Sequence, residues 1–133
     1  MLKNVSLVGK RILIAEDITF NRDIIKMVFD SSGVELFDAE NGEQAVLLFK
    51  ENEIDIILMD CVMPVMDGFK AVEAIRVIES SSKSRRIPII AITASTSDEV
   101  KQQCLDSGMD DVLHKPFNFD EVLKIVTHYS NET

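Results

Sequence analysis

The residues able to do chemistry in this chain recur at one kind of position, just after short runs of apolar and β-branched residues. Glu16 and Asp17 follow Arg11-Ile-Leu-Ile-Ala15, and Asp60 follows Ile54-Asp-Ile-Ile-Leu-Met59. Thr93 ends Ile87-Pro-Ile-Ile-Ala-Ile-Thr93, and Lys115 follows Asp111-Val-Leu-His114. Singly, each has an ordinary reading as a solvated loop charge, a cap or a surface lysine. Together they make a set. Three carboxylates brought close repel one another and raise at least one pKa unless a cation neutralises them. A hard divalent ion does so, and magnesium suits few carboxylates, several waters and a phosphate oxygen. Such a set suits phosphoryl transfer, which asks of a protein mainly positioning and neutralisation of charge. A carboxylate can be the nucleophile and yield an acyl phosphate. Asp60 ends the run expected to be the most buried, central strand and is the candidate acceptor. Asp17, and Glu16 through water, would hold the metal, while Thr93 and Lys115 would bind the transferred group.

For these residues to meet, the runs must be neighbouring parallel strands. Five short apolar runs alternate with five amphipathic stretches. A helix is expected from about Phe20 to Ser31, with Phe20, Ile24, Met27 and Val28 on one face. A short strand, Val34 to Ala39, precedes a helix that Asn41 and Gln44 can open as a capping box. The next helix starts near Gly68, carries Val72, Ile75 and Ile78, and ends in a serine-rich loop, Ser80 to Ser84. Pro88 fits only at the beginning of the fourth strand. Thr96 with Glu99, and Asn118 with Glu121, mark two further helix starts on either side of a strand from Asp111 to His114. Strands apolar on both faces, each followed by a helix, call for a parallel sheet covered on both sides. Right-handed crossovers leave few topologies, and the doubly wound (βα)5 sheet, a three-layer α/β sandwich, is the choice. In such a sheet ligands gather beyond the carboxyl ends of the strands.

The 133 residues allow one ordinary domain. With 46% hydrophobic and 28% charged residues the chain reads as globular and soluble. Residues 1–9 read as a leader, 10–129 as the domain and 130–133 as a tail. A net charge of −9 argues against direct binding to nucleic acid or an anionic membrane and is compatible with a cation or a basic protein surface. The two cysteines, Cys61 and Cys104, fit free thiols in a cytoplasmic, reducing compartment. No apolar run reaches the ~20 residues of a membrane span, and the first residues lack the apolar core of a signal peptide.

At Glu16-Asp17, Met59-Asp-Cys-Val-Met-Pro-Val-Met-Asp-Gly68, Ile92-Thr-Ala94 and Lys115-Pro116 the sequence resembles the receiver domain of two-component response regulators, over about residues 10–128. The resemblance implies a flavodoxin-like fold with strand order 2-1-3-4-5. It implies that Asp60 takes phosphate from a histidine on a partner protein, with magnesium obligatory and held by Glu16, Asp17, Asp60 and the main-chain carbonyl of Val62. Thr93, Ala94 and Lys115 would bind the phosphoryl group, and the bond before Pro116 would be cis. The chain departs from the family at Val112, where a Tyr or Phe usually serves as a switch, and at Val62, often polar in relatives.

Leu7-Val-Gly-Lys-Arg-Ile-Leu-Ile-Ala-Glu-Asp17 and Met59-Asp-Cys-Val-Met-Pro64 resemble receivers carried inside hybrid sensor histidine kinases, for which no output domain is expected after the last helix. The implied partners are a histidine kinase, or the chain's own kinase core, and a histidine phosphotransfer protein. The implied place is the cytoplasm, including the cytoplasmic part of a membrane-bound sensor kinase. A stand-alone single-domain regulator is the alternative, and a degenerate receiver serving as a protein-binding module is another.

Other classes fit less well. A haloacid-dehalogenase-type phosphatase would want a second Asp where Val62 stands. A flavodoxin-like cofactor binder would want a phosphate loop rich in Gly, Ser and Thr where Glu16 and Asp17 stand. His114 and His128 read as structural or surface residues. Cys61 reads as a packed thiol, Met59, Met63 and Met66 as core or loop filler, and Asp106, Asp110 and Asp111 as solvated.

Overall fold

The computed structural model describes residues 7–130. The expected leader and tail fall mostly outside them, although Leu7 is buried in the core and the Gly9 N–H donates to the carbonyl of Gly33. Five strands alternate with five helices: β1 (Arg11–Ala15), α1 (Thr19–Val28), β2 (Glu35–Ala39), α2 (Gly42–Glu51), β3 (Ile56–Asp60), α3 (Gly68–Ser82), β4 (Ile89–Thr93), α4 (Asp98–Ser107), β5 (Asp111–His114) and α5 (Phe119–Ser130). All strand pairs are parallel, in the order β2-β1-β3-β4-β5. The doubly wound sheet expected from the alternating runs is therefore the fold.

Period-two alternation divides the strands between two cores. Leu13, Ala15, Ile57, Met59, Ile89 and Ala91 pack with Ala45 of α2, Val72 and Ile75 of α3 and Cys104 of α4. Ile12, Ile14, Ile56, Leu58, Ile90 and Ile92 pack with Ile25 of α1 and with Val122 and Val126 of α5. Every residue of β3 and β4 is buried, as two-sided coverage requires. No described helix is long and apolar enough to cross a membrane.

Several local features differ from expectation. α1 buries Arg22 and Ile25, with Phe29 just beyond its end, whereas Phe20 is 71% and Met27 60% exposed. The helix carries two overlapping apolar stripes, and docking selects the one that also lets Arg22 reach the carbonyl of Glu16 at 2.8 Å. α4 is capped by Ser97, which accepts from the Val100 N–H, and not by Thr96. α3 runs through the first serines to Ser82 and stops where Lys83 turns left-handed, at φ 55°. The capping box at Asn118–Glu121 is formed. At α2 Asn41 caps by accepting from the Gln44 N–H, but the Gln44 side chain accepts from the Glu40 N–H and not from that of Asn41.

Candidate functional site

β1, β3, β4 and β5 end side by side, with Ala15 in register with Met59, Asp60 with Ile92, and Thr93 with His114. The residues after or at these ends form one cleft. Carboxylate oxygens of Glu16, Asp17 and Asp60 lie within 4.8 Å of one another. Glu16 is fully buried and Asp60 nearly so, while Asp17 is exposed at the mouth. Lys115 reaches in from the end of β5, its Nζ 3.0 Å from Asp60 Oδ2 and 3.2 Å from Glu16 Oε2. The other oxygen of Asp60, Oδ1, accepts from the Val62 N–H at 3.1 Å.

The loop after β3 is held against the strand end by a close approach that requires glycine. A Cβ on Gly68 would lie 2.1 Å from the carbonyl oxygen of Asp60, and the Gly68 N–H donates to the carbonyl of Cys61 at 3.1 Å. The segment from 60 to 68 thus closes back on the acceptor strand as α3 begins. Asp67 caps that helix by accepting from the Lys70 N–H at 2.9 Å.

The electrostatics follow from burial. Glu16 is pushed up to about 7, first by removal from water and then by its hydrogen bond to Asp60 and that residue's charge; Asn21 and Lys115 oppose the shift. Burial pulls the Lys115 ammonium down, but the hydrogen bond and charge of Asp60, then those of Glu16, more than offset it and leave it raised. The Cys61 thiol is pushed well above the ordinary range, first by burial and then by Cys104, so it stays protonated beside the carboxylates.

Thr93 is buried at the end of β4, its Oγ1 accepting from the Ser95 N–H at 3.1 Å, and Ala94 beside it is exposed. Val62 stands 76% exposed at the cleft's mouth. Val112 is half-buried on β5, in register with Ala91 and packed against the core on the side of α2, α3 and α4. The Lys115–Pro116 peptide bond is cis. His114 and His128 are exposed, the latter edge-on to the ring of Tyr129.

Two site residues escaped the sequence reading. Asn21 Nδ2 donates to Glu16 Oε1 at 3.2 Å, and Arg22 Nη1 holds the Glu16 carbonyl. Polar residues in a first helical turn are commonplace, and nothing local distinguishes these from solvated ones. Asp110, expected in solvent, instead pairs with Arg76 at 3.0 Å and also with Arg86, while Asp111 accepts from the Tyr129 hydroxyl at 2.9 Å.

The cleft also fits a metal ion. Its donors are hard oxygens, and Glu16 Oε2 is buried without a hydrogen bond, its contact being the ion pair with Lys115.

A doubly wound sheet with an acidic cleft at its carboxyl edge is the architecture of receiver domains in two-component signalling. The chain belongs to that family: the model of the response regulator receiver domain matches residues 12–127. It is 41% identical over 123 residues to hybrid signal transduction histidine kinase B of Dictyostelium discoideum; the match covers 86% of this chain and 6% of that protein's length. Among solved structures, it matches a chain in the co-crystal of the Saccharomyces cerevisiae histidine phosphotransfer protein Ypd1 with the receiver domain of its downstream response regulator Ssk1. That match has a TM-score of 0.88 at 32% identity, covering 95% of this chain and 91% of the other. It also matches the receiver domain of sensor histidine kinase PA1611 from Pseudomonas aeruginosa, solved with magnesium coordinated in its active-site cleft. The TM-score there is 0.81 at 35% identity, covering 93% and 99% of the two chains.

Proposed function

We propose that this receiver accepts a phosphoryl group on Asp60 from a partner's phosphohistidine and passes it to a histidine phosphotransfer protein. The observation that carries the reading is the shared ammonium of Lys115, 3.0 Å from Asp60 and 3.2 Å from Glu16, with Asp17 completing the acid cluster. In the transfer a carboxylate oxygen of Asp60 forms the new O–P bond as the N–P bond to the partner's imidazole breaks. Lys115 leaves its carboxylate partners for a phosphoryl oxygen, and Thr93 with the main chain at Ala94 receives another. Glu16, Asp17, Asp60 and the main-chain carbonyl of Val62 would hold a magnesium ion in this site. Bound there, the ion would neutralise the charge gathered on the phosphoryl oxygens. Residues 10–129 of this chain are the receiver of a hybrid sensor kinase and work in the cytoplasm.

Support for a protein partner comes from the cleft's rim. Ile18 and Phe20 on one side, and Val62 and Val65 on the other, are 51–76% exposed around an acidic centre. An apolar rim around a charged site favours docking of another protein face. Acetyl phosphate with magnesium should add one phosphate, released by hydroxylamine as an acyl phosphate is. Asp60→Asn should take up none while keeping the native circular dichroism spectrum. Uptake of one phosphate by Asp60→Asn would refute the assignment.

A further inference from the structure

Cys61 follows the acceptor aspartate, and Cys104 lies on the inner side of α4. Both are buried, and their Sγ atoms are 3.6 Å apart. That is thiol-to-thiol contact, about 1.5 Å beyond the length of a disulfide bond. The two cysteines differ in how firmly they are held. The Cys61 N–H donates to the carbonyl of Ile92 and its carbonyl accepts from Gly68, which locks it between β4 and α3. Of the ten residues of α4, by contrast, only Cys104 and Ser107 are buried, with Val100 half-buried beside them. α3 buries Gly68, Ala71, Val72, Ile75 and Glu79. An element with so small an apolar face opens at low free energy. Opening α4 uncovers both thiols, and reclosing it brings them back into contact.

We propose that Cys61 and Cys104 are a reversible redox pair whose disulfide staples α4 to the end of the acceptor strand. The oxidant is a low-molecular-weight disulfide of the glutathione class. One cysteine loses its proton to solvent, and its sulfur attacks the oxidant's disulfide, releasing one thiol and leaving a mixed disulfide. The second cysteine loses its proton and displaces the remaining oxidant thiol, closing the Cys61–Cys104 bond. Two S–H bonds and one S–S bond are lost, and one S–S bond and two S–H bonds are formed. The two electrons reside on the released thiols.

The test is to incubate the folded chain with oxidised glutathione and follow intact mass, peptide mapping and amide exchange. A linked peptide containing Cys61 and Cys104 and a loss of two hydrogens are expected. Exchange of the α4 amides should slow by at least about tenfold, reversed by reductant. Cys104→Ala, which leaves the acceptor strand untouched, should give neither the link nor the slowing. The proposal fails if the folded chain keeps both thiols, or carries only mixed disulfides, under conditions that link the same chain in urea. It also fails if the link forms and α4 exchange is unchanged. Neither measurement depends on phosphorylation.

Discussion

A carboxylate that must stay charged while buried beside another needs a cation within reach, and here that cation is Lys115. Its Nζ touches both Asp60 and Glu16, and the Glu16 side chain is fully buried. Removing one partner from a buried ion pair leaves the other charge uncompensated, which costs more than the pair was worth. Lys115→Met is therefore expected to destabilise the metal-free protein by about 3 kcal/mol. Saturating magnesium should return about 2–3 kcal/mol, because a ligand that binds only the folded state stabilises it. Urea denaturation with and without magnesium checks both parts. A loss that magnesium does not reduce would count against a cation site at these acids. Phe20 presents the opposite case, a large apolar side chain left in water beside the cleft. Phe20→Asp should slow phosphotransfer with a histidine phosphotransfer protein by at least about tenfold, while phosphorylation by acetyl phosphate stays within about twofold. Equal slowing of both reactions would place Phe20 in the acceptor chemistry and not in docking.

Between elements, the strongest polar junction is far from the acceptor. Arg76 on α3 donates to Glu79 and Asp110 and to the carbonyls of Ile87 and Gly108, which precede β4 and β5. Glu79, almost fully buried, also accepts from the Ile87 N–H at 2.9 Å. One guanidinium thus fastens α3 to the amino ends of two strands whose carboxyl ends carry Thr93 and Lys115. Arg76→Met keeps the apolar stem but strands the Glu79 carboxylate. It should lower stability by about 3–5 kcal/mol in urea denaturation. Phosphate uptake per folded molecule should be unchanged, since the junction lies at the opposite ends of the strands. Loss of uptake from a folded variant would show that α3 transmits its position to the acceptor.

At the scale of the whole molecule, the question is how far a phosphoryl group at Asp60 is felt. A ligand shifts a conformational equilibrium only by its differential affinity for the two states. In relatives, a ring at the position of Val112 follows the hydroxyl corresponding to Thr93. Valine has neither the reach nor the freedom at χ1, and here it is already packed against the core formed with α2, α3 and α4. Beryllofluoride with magnesium should shift amide resonances near Asp60, Thr93 and Lys115. The surface around Val112 should change little, and the oligomeric state should stay the same. A large rearrangement there, or new dimerisation, would show a switch that does not need the ring. A small global response suits a relay in which the partner reads the phosphorylated cleft itself.

What the sequence alone determined is what rests on local periodicity. Apolar runs buried on both faces specify strands of a covered parallel sheet, and intervening helical stretches specify crossovers. Together these place Glu16, Asp17, Asp60, Thr93 and Lys115 at strand ends before any coordinates are known. The caps at Asn41 and Asn118 were legible because a helix cap is built within four residues. Tertiary structure decided what depends on which surfaces meet. α1 carries two apolar stripes of similar spacing, and only docking on the sheet turned Ile25 inward and left Phe20 and Met27 in water. Arg22 and Asn21 became supports of Glu16 because that docking set them beside the loop after β1. Arg76 met Asp110 across 34 residues, and Cys61 met Cys104 across 43. No local pattern encodes such distances: they follow from the crossovers, which set elements side by side after the chain has travelled a full βα unit or more.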